Sequence, residues 1–215
     1  MTLTVKICGI TGAAAMDAAV EGGARYVGLM FYPPSPRFLS LDAAAGLAAR
    51  VPAGITRVGV FVDPVDALLV ETLARVPLDA LQLHGAETPR RLAEIRARFS
   101  LPIIKAVKIA GPEDLAHARA HEAAADILLF DAKPPAEMTH ALPGGNALSF
   151  DWRIIAGESW SRPWMLSGGL DAGNLAEAVA ISGARMVDVS SGVESTAGVK
   201  DPALIRAFLA RAAAI

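Results

Sequence analysis

Short β-branched and aliphatic runs recur along the chain. Each is followed by a turn signal and then by an alanine-rich stretch whose apolar residues fall at helical spacing. The runs predict strands beginning near Leu3, Tyr26, Arg57, Asp79, Ile103, Ile127, Trp164 and Met186. Successive starts lie 22 to 37 residues apart, room for one strand, one helix and two loops, and the longest intervals follow the second and sixth strands. A repeating βα unit of this length predicts a parallel sheet. Asp63-Pro64, Thr88-Pro89 and Asp201-Pro202 each set a capping side chain before a proline suited to the first helical position. Leu68, Leu69, Leu73 and Val76 make one helical stripe and Leu204, Ile205, Phe208 and Leu209 another, both expected to pack on the sheet.

Eight strands alternating with eight helices fit an α/β fold of the (β/α)8 TIM-barrel type, a single domain over residues 1–215. A doubly wound open sheet usually opens on a glycine-rich turn, and Cys8-Gly9-Ile10-Thr11-Gly12 lacks the GxGxxG spacing.

Composition narrows the function. With 53% apolar and 20% charged residues the chain can bury enough surface to order itself, which excludes a disordered protein. Twenty basic residues against 22 acidic ones give a net charge of −2, so no cationic field draws the protein to nucleic acid. Mean hydropathy is +0.40, but the excess is dispersed alanine, and no uninterrupted apolar stretch reaches the roughly 18 residues of a membrane span. The segment Met1 to Cys8 reads as a strand rather than a signal peptide, and one cysteine cannot form an internal disulfide. Both fit a reducing, cytoplasmic location. The histidines His84, His117, His121 and His140 are scattered, so no metal site is expected; His117 and His121, at i,i+4, read as a solvated helix face.

In a barrel of this kind the reactive side chains lie at the carboxyl ends of the strands. That rule nominates Cys8, the Tyr32–Ser40 loop, Asp63, His84, Lys108, Asp131, Gly168-Gly169 and Ser190-Ser191-Gly192. The small residues after strands seven and eight let backbone N–H groups approach an anion, and together these loops point to phosphate binding; singly, each would do no more than permit a tight turn. Cys8 is either a small buried hydrophobe or a thiolate base, the latter needing a positive or hydrogen-bonding environment to lower its pKa from about 8.5. Asp131 ends the apolar run Ile127 to Phe130, where a partly buried carboxyl is suited to donate a proton. Arg37, in a loop stiffened by Pro33, Pro34 and Pro36, is placed to pair with a carboxylate. His84 reads equally as catalytic or as a packed supporting residue.

Several segments taken in order resemble the phosphoribosylanthranilate isomerase family of tryptophan biosynthesis over nearly the whole chain. They are Val5–Gly9, Gly28–Phe31, Ser35–Arg37, Val58–Val62, Leu81–Gly85, Phe150–Trp152, Gly168–Leu170 and Asp188–Glu194. The resemblance implies a cofactor-free Amadori rearrangement of a phosphorylated aminosugar, N-(5-phosphoribosyl)anthranilate, to 1-(2-carboxyphenylamino)-1-deoxyribulose 5-phosphate. It implies Asp131 as general acid toward the furanose oxygen and Cys8 as general base toward the C2′ proton. Arg37 would hold the anthranilate carboxylate, loops seven and eight the phosphate, and Asp188 would orient neighbouring polar groups. The substrate-contacting set is thus Arg37, His84, Gly168, Gly169, Asp188, Ser190, Ser191 and Gly192. Gly144-Gly145-Asn146-Ala147 departs from the family's frequent Gly-Gly-Thr-Gly, and Ser167 replaces a frequent alanine. Two other readings stay open. One is a different phosphosugar enzyme on the same barrel, which would be expected to show metal-binding or magnesium-diphosphate residues. The other is a non-catalytic phosphometabolite-binding barrel, which has no need of both Cys8 and Asp131. A monomer and a homodimer fit the sequence equally.

Overall fold

A computed structural model describes residues 3–135, 137–138 and 142–215, so His140 lies outside the described residues. The strands are β1 (Thr4–Cys8), β2 (Tyr26–Met30), β3 (Thr56–Phe61), β4 (Ala80–Leu83), β5 (Ile103–Ile109), β6 (Ile127–Ala132), β7 (Trp164–Leu166) and β8 (Met186–Val189). All pair in parallel with their sequence neighbours, and β1 pairs with β8 to close the ring. Every expected strand start falls within one residue of the observed one.

The helices are α1 (Ala13–Glu21), α2 (Leu41–Ala48), α3 (Asp66–Arg75), α4 (Pro89–Phe99), α5 (Asp114–His121), α6 (Leu175–Ser182) and α7 (Pro202–Ala213). The eighth expected helix is not among the described residues. Among the described residues between β6 and β7 stands only a 3₁₀ turn, Trp152–Ile154. Pro134, Pro135, Pro143, Gly144 and Gly145 in that connection disfavour a continuous helix. A short hairpin, β9 (Glu194–Thr196) and β10 (Val199–Lys200), follows β8.

Thr88 and Asp201 cap α4 and α7 as expected, accepting from Arg91 N and from Ala203 and Leu204 N. Asp63 does not cap α3, which starts at Asp66 without a side-chain cap; its backbone is left-handed (φ 45°) and its carboxylate accepts from Ala86 N in the neighbouring loop. The α7 stripe buries Ile205, Phe208 and Leu209 and leaves Leu204 exposed.

Parallel strands in a closed ring turn alternate side chains inward. The barrel interior holds Cys8, Val58, Val60, Ala80, Ile104, Ala106, Leu129 and Met165, and a larger apolar layer fills the space between barrel and helices. Phe208→Ala should lower stability by about 3–5 kcal/mol, whereas Leu204→Ala should stay within about 0.5 kcal/mol of the parent. Urea unfolding of the two variants checks which face of α7 carries the packing.

Candidate active site

The inward alternation that is apolar at the base of the barrel becomes polar at its carboxyl rim. There Cys8, His84, Asp131, Ser167, Asp188, Ser190 and Ser191 line one pocket with Arg37, Gly168 and Gly169. Asp63, Lys108 and Gly192, nominated by position, do not line it.

On one side, Cys8 is 6% exposed and ends β1 opposite Gly28 of β2. Two residues earlier on the same inward face stands Lys6, fully buried, whose Nζ donates to Asp188 Oδ1 at 2.9 Å. Asp188 Oδ2 accepts from Ser167 Oγ at 3.3 Å. Burial pushes the Cys8 thiol up from its ordinary range, and the Lys6 ammonium opposes that without reversing it. Burial also disfavours the Lys6 charge, but Asp188 and Cys8 beside it outweigh that and hold the ammonium above the usual lysine range.

Across the pocket, Asp131 Oδ1 accepts from Ala132 N, and Oδ2 stands 3.2 Å from His84 Nε2. Gln82 Nε2 donates to His84 Nδ1 at 2.9 Å, which fixes the proton of a neutral imidazole on Nε2, facing Asp131. The loop after β6 lies directly over this pair. A side chain at Gly144 would collide with His84 Nε2 and Asp131 Oδ2. Asn146 holds the loop's shape by bonding both Leu142 N and Leu142 O, and Ala147, where the family often has glycine, takes a left-handed φ of 56°.

Arg37 is buried rather than solvated. Its Nε and Nη2 grip Glu194 at 2.7 and 2.9 Å, and Nη2 also donates to the Gly145 carbonyl at 3.2 Å. Among the described residues no acceptor takes Nη1. Glu194 Oε1 also accepts from Lys200 Nζ at 2.6 Å, and Lys200 in turn donates to Ser190 O and Oγ. Burial works against the Glu194 charge, but Arg37 and Lys200 outweigh it and hold the carboxyl below its ordinary range. Lys200 moves the other way, because burial outweighs the Glu194 carboxylate beside it.

Gly168 and Gly169 both turn through positive φ. Gly192 packs so tightly on loop seven that a Cβ there would lie 1.9 Å from Leu170 O. The N–H groups of Gly168, Gly169, Ser191 and Gly192 donate to no acceptor among the described residues. Loops seven and eight thus bring unpaired donors to one rim of the pocket.

A family model described as N-(5'phosphoribosyl)anthranilate (PRA) isomerase matches residues 5–211. The chain belongs to this isomerase family. An N-(5'-phosphoribosyl)anthranilate isomerase of Rhodospirillum centenum is 60% identical over 216 residues, covering all of both chains. The crystal structure of phosphoribosyl anthranilate isomerase from Thermotoga maritima superposes with a TM-score of 0.88 at 34% identity, covering 99% of this chain and 100% of that one. A further phosphoribosyl anthranilate isomerase, solved in complex with reduced 1-(o-carboxyphenylamino)-1-deoxyribulose 5-phosphate, matches with a TM-score of 0.83 at 32% identity over 99% and 100% of the two chains.

Within this isomerase fold the sequence reading missed Lys6, Gln82 and Lys200, and it gave Glu194 no role. Lys6 carried a signal, since a charge between Val5 and Ile7 on a buried strand shares the inward face of Cys8. The partners of Glu194 and Lys200 are visible only in three dimensions. His121 was expected on a solvated face and is buried instead; its Nδ1 lies 2.9 Å from His117 O and its Nε2 3.1 Å from Glu87 O.

Removing the Glu194 carboxylate leaves two buried cations unpaired, so Glu194→Gln should cost about 3 kcal/mol at pH 7. A carboxyl held below its ordinary value of 4.5 contributes stability that is complete above that value and lost as the pH falls through the folded-state value. Denaturation of parent and variant across the acid range should therefore give a difference that is constant near neutrality and narrows below about pH 4.5.

Proposed function

We propose that this chain is a phosphoribosylanthranilate isomerase that converts N-(5-phosphoribosyl)anthranilate to 1-(2-carboxyphenylamino)-1-deoxyribulose 5-phosphate, a step of tryptophan biosynthesis. The observation that carries the reading in detail is one pocket presenting Cys8 and Asp131 from strands on different sides of the ring, with Arg37 and the loop-seven and loop-eight donors around them.

Asp131 gives its proton to the furanose oxygen, the bond from that oxygen to C1′ breaks, and the nitrogen lone pair forms a Schiff base. Cys8 as thiolate then takes the C2′ proton, and the C–H electrons form the C1′–C2′ double bond of an enolamine. C1′ gains a proton and the 2′-hydroxyl loses one to give the ketone. Two carbons exchange oxidation level within one molecule, so the sequence consumes no external oxidant or reductant. His84, with its proton fixed on Nε2 by Gln82, orients the Asp131 carboxyl.

Arg37 binds the anthranilate carboxylate through Nη1, because Glu194 and the Gly145 carbonyl occupy Nε and Nη2. The phosphate takes the unpaired N–H groups of Gly168, Gly169 and Ser191, with Ser190 held beside them by Lys200 and Gly192 packing loop eight onto loop seven. Asp188 serves from below by fixing Lys6 and Ser167. The reading takes residues 1–215 as one domain, supported by the closed ring and by a family match that spans 5–211. Among the described residues no helix is long and apolar enough to cross a membrane, which suits a cytoplasmic enzyme working as a monomer or homodimer on a small phosphorylated substrate.

Cys8→Ala and Asp131→Asn should each lower kcat by at least about a hundredfold with the fold intact. Anthranilate-derivative fluorescence follows the turnover, and near-normal rates in either variant remove that residue from its role. Arg37→Ala should mainly raise KM through the lost carboxylate pairing; an unchanged KM in the same assay counts against the contact.

A further inference from the structure

The mechanism asks Cys8 to carry negative charge in a place that is poor for it. Its interior neighbours Val58, Val60, Ala80 and Ala106 are apolar, and none can answer a charge on sulfur. The charged groups that act on it are Lys6 on its own strand, Asp188 on β8 and Lys200 on β10; β2 presents only Gly28. Lys200 is committed to Ser190 and Glu194. Lys6 is different. A Cβ built on Gly28 would lie 3.0 Å from Cys8 Sγ and 3.3 Å from Lys6 Nζ, so sulfur and ammonium share the space that this glycine leaves open. Asp188, itself steadied by Ser167, keeps the ammonium in that position.

We propose that Lys6 is the positioning residue of the base, its ammonium supplying the positive charge that lessens the cost of a thiolate at Cys8 when the C2′ proton is taken. The inference rests on the assignment of Cys8 as base. Asp188 is the counterweight: it anchors Lys6 and at the same time repels a thiolate, so the sulfur is charged only while Lys6 outweighs it. Burial and Asp188 push the thiol up and Lys6 and Lys200 draw it down.

Because the chain has a single cysteine, every thiol alkylation reports Cys8. The rate of reaction with iodoacetamide is measured against pH for the parent and for Lys6→Met, with the ultraviolet absorbance of the thiolate, referred to Cys8→Ala, as a second reading. The midpoint should rise by at least about one pH unit, a tenfold loss of thiolate below it. Turnover of Lys6→Met should drop by a similar factor near neutrality with little change in KM and recover as the pH approaches the new midpoint. A merely structural lysine would not produce that recovery. Lys6→Met/Asp188→Asn, which leaves no unpaired buried charge, keeps the test open if the single variant does not fold, and its midpoint should also lie above the parent's. A midpoint at or below the parent's, or a turnover that stays low at high pH, overturns the proposal. Undiminished turnover in Cys8→Ala would instead sink the base assignment and leave the midpoint as a separate measure of Lys6.

Discussion

Closure of the parallel ring is the constraint on which everything else depends. Once β1 pairs with β8, every second residue of eight strands must face a shared interior, and the order of residues along each strand becomes a depth inside the barrel. Val58, Ala80, Ile104 and Leu129 pack the lower layers. Cys8, His84, Asp131 and Ser167, at or just past the carboxyl ends of β1, β4, β6 and β7, arrive together at the mouth. Residues as distant in sequence as Lys6 and Asp188 meet because one interstrand register sets them side by side.

Two buried chains of charge organise that mouth. One runs from Cys8 past Lys6 to Asp188 and Ser167, and the other from Arg37 through Glu194 to Lys200 and Ser190. Buried ion pairs of this kind are weak sources of net stability, because desolvation consumes most of the Coulombic gain. Their effect here is positional. The second chain ties the loop after β2 to the segment after β8, so Arg37 and Ser190 are held against each other. The first ties Cys8 to β8, the strand that leads into that segment.

The barrel was legible because its signals are local and repeated: β-branched runs, capping residues before proline, and a nearly constant interval. Where a local signal had a competing long-range use, it misled. Asp63 has the form of a helix cap, but its carboxylate serves Ala86 in the next loop. His121 has the spacing of an exposed helix face, but the Glu87 carbonyl lies within hydrogen-bonding reach of its inward nitrogen. Cys8, Asp131, Arg37 and the loop-seven and loop-eight residues could be named because strand ends are readable from the period. Glu194 and Lys200 could not be given roles, since their meaning lies in an arginine more than 150 residues away. The polar interior of β4 shows the same limit: Gln82 and His84 are adjacent in the alternation, but only Asp131 on β6 gives their hydrogen bond a direction.

The central claim is that Cys8 and Asp131 address one substrate from two sides. It is tested most directly by a crystal structure of this chain with reduced 1-(o-carboxyphenylamino)-1-deoxyribulose 5-phosphate bound. The account predicts C2′ facing Cys8 Sγ at about 3.5 Å, and the former ring oxygen within about 3.2 Å of Asp131 from the opposite side of the carbon chain. A ligand whose C2′ turns away from the sulfur, or whose ring oxygen and C2′ both face the same one of these groups, would contradict it.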